Sequence, residues 1–203
     1  MVGAKPRWIL FDLGGVLVEI GGVVATIRSA KGAVKQDPWE AWLRSPAVDD
    51  WESGRTSNED FADSLITELG LETNRDDFLA DCATWVLGTF PETLAMLESL
   101  RGQAQLACLS NTNPLHWPII QRQLGLHKQL DRCFLSYELG MAKPAPATFL
   151  HVANELACPP NEILFLDDNR LNIEGARAAG LIAERAFAGK AVNEALRRYG
   201  FKV

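Results

Sequence analysis

The most constraining feature of this chain is a set of short apolar runs, each ending on a polar or acidic residue. They are Trp8-Ile-Leu-Phe-Asp12, Leu106-Ala-Cys-Leu-Ser110, Cys133-Phe-Leu-Ser136 and Ile163-Leu-Phe-Leu-Asp167, with a weaker run at Leu181-Ile-Ala183. Runs this short and this continuously apolar suit strands buried on both faces, the environment of a parallel sheet. Helical patterns separate them. Pro91 opens one that places Leu94, Leu97 and Leu100 on one face. Pro144 or Ala145 opens a second, carrying Phe149, Val152, Ala153 and Leu156. A third runs from about Arg170 through Ile173 and Ala176, and Gly180 suits its stop. The alternation predicts an α/β fold with a doubly wound parallel sheet.

Residues 18–88 break this rhythm. They are rich in Trp and in helical patterns and contain no convincing buried strand. Ser57-Asn-Glu-Asp60 ahead of Phe61, Leu65, Ile66 and Leu69 has the form of a capped amphipathic helix. A further helix is expected to carry Phe78, Leu79, Cys82 and Val86. The predicted organisation is therefore a core domain of residues 1–17 and 89–203, with residues 18–88 as a helical insert. A chain of 203 residues is long enough for one core plus such a subdomain.

Bulk properties exclude some classes of partner. A net charge of -6 argues against nucleic acid or an anionic membrane surface, both of which require a basic footprint. A small anionic substrate stays open, because a pocket can be locally positive on an acidic protein. Cys82, Cys108, Cys133 and Cys158 show no metal-ligand spacing and read as reduced thiols. The first apolar run is interrupted by Asp12 and two glycines, too early for a membrane span. A cytoplasmic protein is the expectation.

In open α/β sheets, ligands bind beyond the carboxyl ends of the strands. Asp12-Leu-Gly-Gly15 follows the first run and Ser110-Asn-Thr-Asn113 the second. Gly140-Met-Ala-Lys143-Pro144 comes after the third, and Asp167-Asp168-Asn169 after the fourth. One edge of the sheet thus gathers three acids, a hydroxyl with turn amides, and an ammonium. That set suits a phosphoryl group. A carboxylate can attack phosphorus and hold it as an acyl phosphate, which divides one hard displacement into two. It cannot approach a dianion unless positive charge intervenes, and magnesium prefers carboxylates, substrate oxygens and water. A lysine adds charge, while a hydroxyl and backbone amides bind the remaining oxygens. Each piece also has a plain reading: a strand end, a turn, a solvated lysine, a helix cap. What points to catalysis is their coincidence at four strand ends.

With these residues in hand, the chain resembles the haloacid dehalogenase superfamily. Phe11-Asp-Leu-Gly-Gly-Val-Leu17, Leu109-Ser-Asn-Thr112, Lys143-Pro144 and Phe165-Leu-Asp-Asp-Asn169 occur in that family's order. Glu52-Ser-Gly-Arg-Thr-Ser-Asn-Glu-Asp-Phe61, Leu139-Gly-Met-Ala-Lys-Pro144 and Asp167-Asp-Asn-x-x-Asn-Ile-Glu-Gly-Ala176 are similar to the bacterial α-D-glucose-1-phosphate phosphatase branch. The resemblance implies a Rossmann-like core with a small helical cap inserted after the first strand. It also implies a magnesium-dependent phosphatase acting on a small phosphorylated metabolite, of the sugar-phosphate class, as a monomer or homodimer. Carried over residue by residue, Asp12 is the nucleophile. Asp12, the Gly14 carbonyl, Asp167 and Asp168 hold Mg2+, directly or through water. Ser110, the Asn111 amide and Lys143 bind phosphate, and Lys143 bridges to Asp12.

One departure matters. Most phosphatases of this superfamily carry a second Asp two residues after the nucleophile, which protonates the leaving oxygen and later activates water. Here that position is Gly14. Three readings follow: a phosphatase for easier leaving groups, such as sugar 1-phosphates; a dehalogenase; or a catalytically degenerate phosphate-binding or regulatory protein. In the first, the base that hydrolyses the aspartyl phosphate is either a metal-bound water or a cap residue such as Glu52. Glu52 and Arg55 either face the pocket or form a solvated pair. Trp39, Trp42, Trp51 and Trp85 read as packing residues, and His116 as a helix-start histidine within reach of substrate.

Overall fold

The computed structural model describes residues 5–29 and 38–203, apart from the side chains of Ser29 and Trp39. The reading of Trp39 as a packing residue therefore lies outside the described residues. Five parallel strands form the main sheet: β1 (Trp8–Phe11), β4 (Gln105–Ser110), β5 (Arg132–Leu135), β6 (Ile163–Asp167) and β7 (Ile182–Arg185). Their order is β5-β4-β1-β6-β7. From central β1 the chain builds outward through β4 and β5, then crosses back to β6 and β7. The direction of winding thus reverses beside β1, which is where the carboxyl ends leave a crevice. Pairing is in continuous register, with Trp8 opposite Gln105 and Ile163, and Phe11 opposite Cys108 and Leu166.

The apolar runs form strands because both faces of the sheet are covered. Ile9, Phe11, Leu106, Cys108, Leu164 and Leu166 pack on one side, with Met96, Leu97 and Leu100 of α6 (Thr93–Leu100) and Val192 and Leu196 of α11 (Ala188–Arg198). Trp8, Leu10, Ala107, Leu109 and Phe165 pack on the other. There they meet Phe149 and Val152 of α9 (Pro146–Glu155), and Ile173 and Ala176 of α10 (Arg170–Ala178). Alternate residues of each strand reach opposite cores, as the two-residue side-chain period requires. Cys108 and Cys133 are register partners on β4 and β5, and all four cysteines are free thiols.

Between β1 and β4 lie α1 (Val23–Ser29), α2 (Pro38–Arg44), α3 (Pro46–Glu52), α4 (Asn58–Leu69) and α5 (Arg75–Ala83). They enclose their own apolar cluster, including Val23, Ile27, Trp42, Trp51, Phe61, Phe78, Cys82 and Trp85. Ser57 caps α4 as its sequence indicates, its hydroxyl accepting the Asp60 N–H at 3.0 Å. Trp51 is fully buried and stacks on Phe61 with centroids 3.7 Å apart and planes 6° from parallel.

Three details differ from the sequence reading. Residues 18–88 do contain strand: β2 (Val18–Ile20) pairs antiparallel with β3 (Val86–Thr89), whose last residue lies just beyond that span. Such short strands leave too little apolar signal to read. Val86 therefore belongs to β3, and the helix that carries Phe78 and Cys82 ends at Ala83. Leu94 is exposed, and α6 is buried instead through Thr93, Met96, Leu97 and Leu100. Among the described residues no helix is long and apolar enough to cross a membrane.

The Trp51–Phe61 stack generates a stability prediction. Trp51→Ala should cost roughly 3–5 kcal/mol, the usual cost of emptying a buried aromatic site, and should be read as a lowered urea midpoint.

Candidate active site

Asp12 follows β1 directly, and its N–H donates to the Leu166 carbonyl at 2.9 Å, which locks the strand end against β6. Its Oδ1 accepts the Leu13 N–H at 2.7 Å and pairs with Lys143 Nζ at 2.8 Å. Oδ2 has no hydrogen-bond partner among the described residues. Lys143 Nζ also reaches Asp167 Oδ2 at 2.7 Å, so one buried ammonium bridges two carboxylates.

Lys143 is placed by Asn111. The Asn111 amide group donates from Nδ2 to the Lys143 carbonyl and accepts the Lys143 N–H on Oδ1, both at 2.9 Å. The loop after β4 is thereby clipped to the loop ahead of α9, and the Asn111 backbone N–H stays separate from that clip. Ser110, at the last position of β4, is buried beside it.

Asp167 and Asp168 are neighbours in very different circumstances. Asp167 is fully buried and engaged on both oxygens. Oδ1 accepts the Asn169 N–H at 2.7 Å, and Oδ2 accepts Lys143 Nζ and Asn172 Nδ2 at 2.7 and 2.9 Å. The Asp168 carboxylate takes no hydrogen bond from another side chain among the described residues. It lies against the turn after β1, where Gly15 has φ +73° and a Cβ would come within 2.7 Å of Asp168 Oδ2. Glycine at 15 thus serves both the left-handed backbone and the close approach of an acid. Gly14 is different: a Cβ there would make an ordinary 3.5 Å contact with Ile20, so sterics do not exclude a side chain.

Asp12, Asp167 and Asp168 can bring ligand oxygens within 4.8 Å of one another. Against three carboxylates stands the single ammonium of Lys143, which leaves two negative charges uncompensated when all are ionised. Burial pushes Asp12 well above the usual carboxylate range; Lys143 opposes this, while Asp167 and Asp168 reinforce it. Asp168 is raised by burial and by Asp167. Burial pulls Lys143 down, but Asp12 and Asp167 outweigh it and hold the ammonium charged. The donor set is all hard oxygen and its charge deficit is that of a dication, so the residues present suit magnesium.

These groups open on a cavity of 710 Å³ between the sheet edge and helices α1–α3. Among the described residues, its acidic lining residues apart from Asp12 and Asp168 are Asp49 and Glu52, and its one lysine or arginine is Lys143. Ile20, Leu43, Leu171 and Phe187 line the mouth and are well exposed.

The sequence-derived candidates thus come together in one place: Asp12, Gly14, Ser110, Asn111, Lys143 and Asp168 line the cavity, with Asp167 beneath it. Glu52 lines it as well, whereas Arg55 turns away into ion pairs with Asp49 and Asp50. His116 is buried and neutral by geometry. Its Nδ1 accepts from Asn113 Nδ2 at 3.0 Å, Nε2–H donates to the Cys82 carbonyl at 2.9 Å, and burial lowers its pKa. It fastens the helical insert to the sheet. Trp42, Trp51 and Trp85 pack in the insert's core, with Trp42 and Trp85 also touching the cavity. The role of Asn172 was missed. It stands five residues after Asp167, one turn into α10, and only the fold shows that it returns to hold that acid.

Comparison with known proteins agrees with this geometry. The model of the haloacid dehalogenase-like hydrolase family matches residues 6–180. A D-ribitol-5-phosphate phosphatase of Bacteroides thetaiotaomicron is 30% identical over 184 residues, covering 85% of this chain and 87% of the relative. An (S)-2-haloacid dehalogenase of a Pseudomonas species is 25% identical over 185 residues, 86% of this chain and 80% of the relative. A haloacid dehalogenase family enzyme of Bacteroides thetaiotaomicron, solved as a magnesium complex, superposes with a TM-score of 0.81 over 95% of this chain and 99% of that one. At 23% identity that likeness speaks for the fold.

The acid cluster predicts a pH-dependent response to metal. Between the carboxylate range and neutrality, the native chain keeps on Asp12 a proton that the unfolded chain has released, and Asp168 is shifted in the same direction. Stability of the metal-free protein should therefore fall as pH rises through that interval. A dication replaces bound protons. Millimolar magnesium should raise Tm more at pH 8 than at pH 5 in a thermal melt.

Proposed function

Because the chain belongs to the haloacid dehalogenase-like hydrolases, we propose that it hydrolyses a singly phosphorylated small metabolite of the sugar-phosphate class, with magnesium, by transient transfer of the phosphoryl group to Asp12. The observation that carries this reading is the Lys143 bridge. An ammonium 2.8 Å from Asp12 and 2.7 Å from Asp167 favours the ionised form of a carboxylate that burial alone would keep protonated, and the carboxylate lies beside a cavity. A nucleophilic carboxylate requires that ionisation.

The Asp12 carboxylate attacks phosphorus, forming the Asp12–phosphorus bond as the ester oxygen departs. Water then attacks the aspartyl phosphate and releases inorganic phosphate. Ser110 Oγ, the Asn111 N–H and Lys143 take the phosphoryl oxygens, which accumulate charge in both transition states. Asp12, the Gly14 carbonyl and Asp168 would hold magnesium, which when bound supplies positive charge between the carboxylate and the phosphoryl group. Asp167 acts one layer out. Its oxygens are already occupied by Lys143, Asn172 and the Asn169 N–H, so it fixes the lysine. This division assigns direct metal contact to Asp168.

The sugar-phosphate class finds support in the relative named for D-ribitol-5-phosphate. Charge favours single phosphates: among the described residues Lys143 is the one lysine or arginine in the lining, and Asp49 and Glu52 stand toward the insert side. A second phosphate would meet acids rather than cations. The dehalogenase relative favours a second reading, but halide departure needs no dication. The three clustered acids with their charge deficit serve no purpose in it. A degenerate phosphate-binding protein, the reading raised by Gly14, would show metal-dependent binding without turnover.

Two measurements test the proposal. Hydrolysis of p-nitrophenyl phosphate should require magnesium, stop with EDTA, and fall by roughly 10⁴-fold or more in Asp12→Asn, as expected for loss of a nucleophile. A folded wild-type protein that binds magnesium and phosphate but turns nothing over would overturn it. Separately, kcat/KM for sugar bisphosphates should lie well below that for the matching monophosphates.

A further inference from the structure

Gly14 removes the side chain that ordinarily exchanges protons with the leaving oxygen and with water, so another group must do so if alkyl phosphates are substrates. Among the described residues, the acids of the cavity lining are Asp12, Asp49, Glu52 and Asp168. Asp12 is the attacking group and Asp168 faces the metal position. Asp49 is largely exposed and ion-paired with Arg55. Glu52 remains. Its carboxylate has no hydrogen-bond partner among the described residues, yet lies close enough to Lys143 and Asp12 to feel both charges.

Its position is fixed rather than incidental. Glu52 is the last residue of α3, and the residues around it are anchored on both sides. Trp51 stacks on Phe61, meets the His116 ring edge-on at 5.7 Å, and donates from Nε1 to Asn58 Oδ1 at 2.8 Å. Gly54, at φ +71°, lies so close to the Tyr137 carbonyl that a Cβ would fall 2.1 Å from its oxygen. The carboxylate between these anchors is thus presented from the insert into the cavity that holds Asp12.

We propose that Glu52 is the general acid and base of this enzyme, supplying from the helical insert the carboxyl group that Gly14 lacks. The assignment rests on the aspartyl-phosphate reading above. In the first step, protonated Glu52 gives its proton to the ester oxygen as the phosphorus–oxygen bond breaks and the Asp12–phosphorus bond forms. In the second, the Glu52 carboxylate takes a proton from water as that oxygen bonds to phosphorus and the Asp12–phosphorus bond breaks. Glu52 ends protonated, as it began. Its surroundings suit both duties. Burial pushes its pKa up to about 7, with Lys143 opposing and Asp12 and Asp49 reinforcing. The other titratable neighbour in the lining, His116, is neutral and has both ring nitrogens engaged.

Glu52→Gln keeps the shape and removes the proton exchange. With p-nitrophenyl phosphate, whose leaving group departs unprotonated, the variant should release a burst of one nitrophenolate per site. Steady turnover should then be slowed by roughly 10²-fold or more, the usual contribution of a general base. Intact-protein mass spectrometry should find the phosphoryl adduct on Asp12. With an alkyl phosphate the burst itself should disappear. Glu52→Asp, which keeps a carboxylate, should recover part of the lost turnover and carries the test if Glu52→Gln fails to fold. Turnover of an alkyl phosphate by Glu52→Gln within threefold of wild type would overturn the assignment. So would a folded Glu52→Gln that gives no burst with p-nitrophenyl phosphate, and a Glu52→Asp no faster than Glu52→Gln. A wild-type protein that neither turns over nor forms the adduct would instead sink the reading on which the proposal rests.

Discussion

One ammonium holds this site together. Lys143 Nζ lies 2.8 Å from Asp12 and 2.7 Å from Asp167, with all three groups largely withdrawn from water. Buried charges are costly unless paired and hydrogen-bonded, and removing one partner strands the others. The three residues come from separate stretches of chain: the end of β1, the loop ahead of α9, and the end of β6. The ion triad therefore ties these elements to one another. Asn111 clips the Lys143 backbone to the loop after β4, and Asn172 of α10 holds Asp167 from behind. Every strand end that contributes chemistry is joined to another through a polar contact.

The same arrangement leaves a charge deficit, and the proposed chemistry makes use of it. A fully compensated cluster would have little use for a dication or for a dianionic substrate's counter-charge. Here burial, reinforced by the neighbouring acids and opposed by Lys143, raises the pKa of Asp12 and Asp168 in the metal-free chain. Gly15 admits Asp168 into the turn after β1, where a larger residue would collide. The neighbouring Gly14 has no such constraint. Its lack of a side chain is not a steric requirement, and under the proposed mechanism it shifts proton handling away from the sheet. With Glu52 on the insert, chemistry would depend on how the insert sits over the cavity. That gives Trp51, Gly54 and His116 a purpose beyond packing.

The sheet was readable because each strand is short, continuously apolar and closed by a distinctive polar residue; Trp8–Phe11 and Ile163–Asp167 lie where those runs place them. Helices with strong periodicity or a clear cap were readable for similar reasons, Ser57 being the clearest. Strands β2 and β3 were not, since three or four residues of mixed character carry no period that distinguishes a strand from a loop. Leu94 was misplaced because helix periodicity tells which residues share a face, while the surroundings decide which face is covered.

The sequence alone determined which polar groups gather at the sheet edge. Asp12, Ser110, Asp167 and Asp168 are set by local rules, since each sits at the carboxyl end of a strand or just after it, where a parallel sheet exposes its ligands, and Lys143 is marked by the Lys-Pro step in the loop ahead of α9. Only the tertiary structure decided how those groups divide the work. That Asp167 is saturated while Asp168 takes no hydrogen bond from another described side chain, that Arg55 turns outward while Glu52 turns inward, and that His116 is a neutral fastener all depend on contacts between residues far apart in the chain. Strand ends follow from local pattern, but burial, charge balance and hydrogen-bond saturation are properties of the assembled neighbourhood.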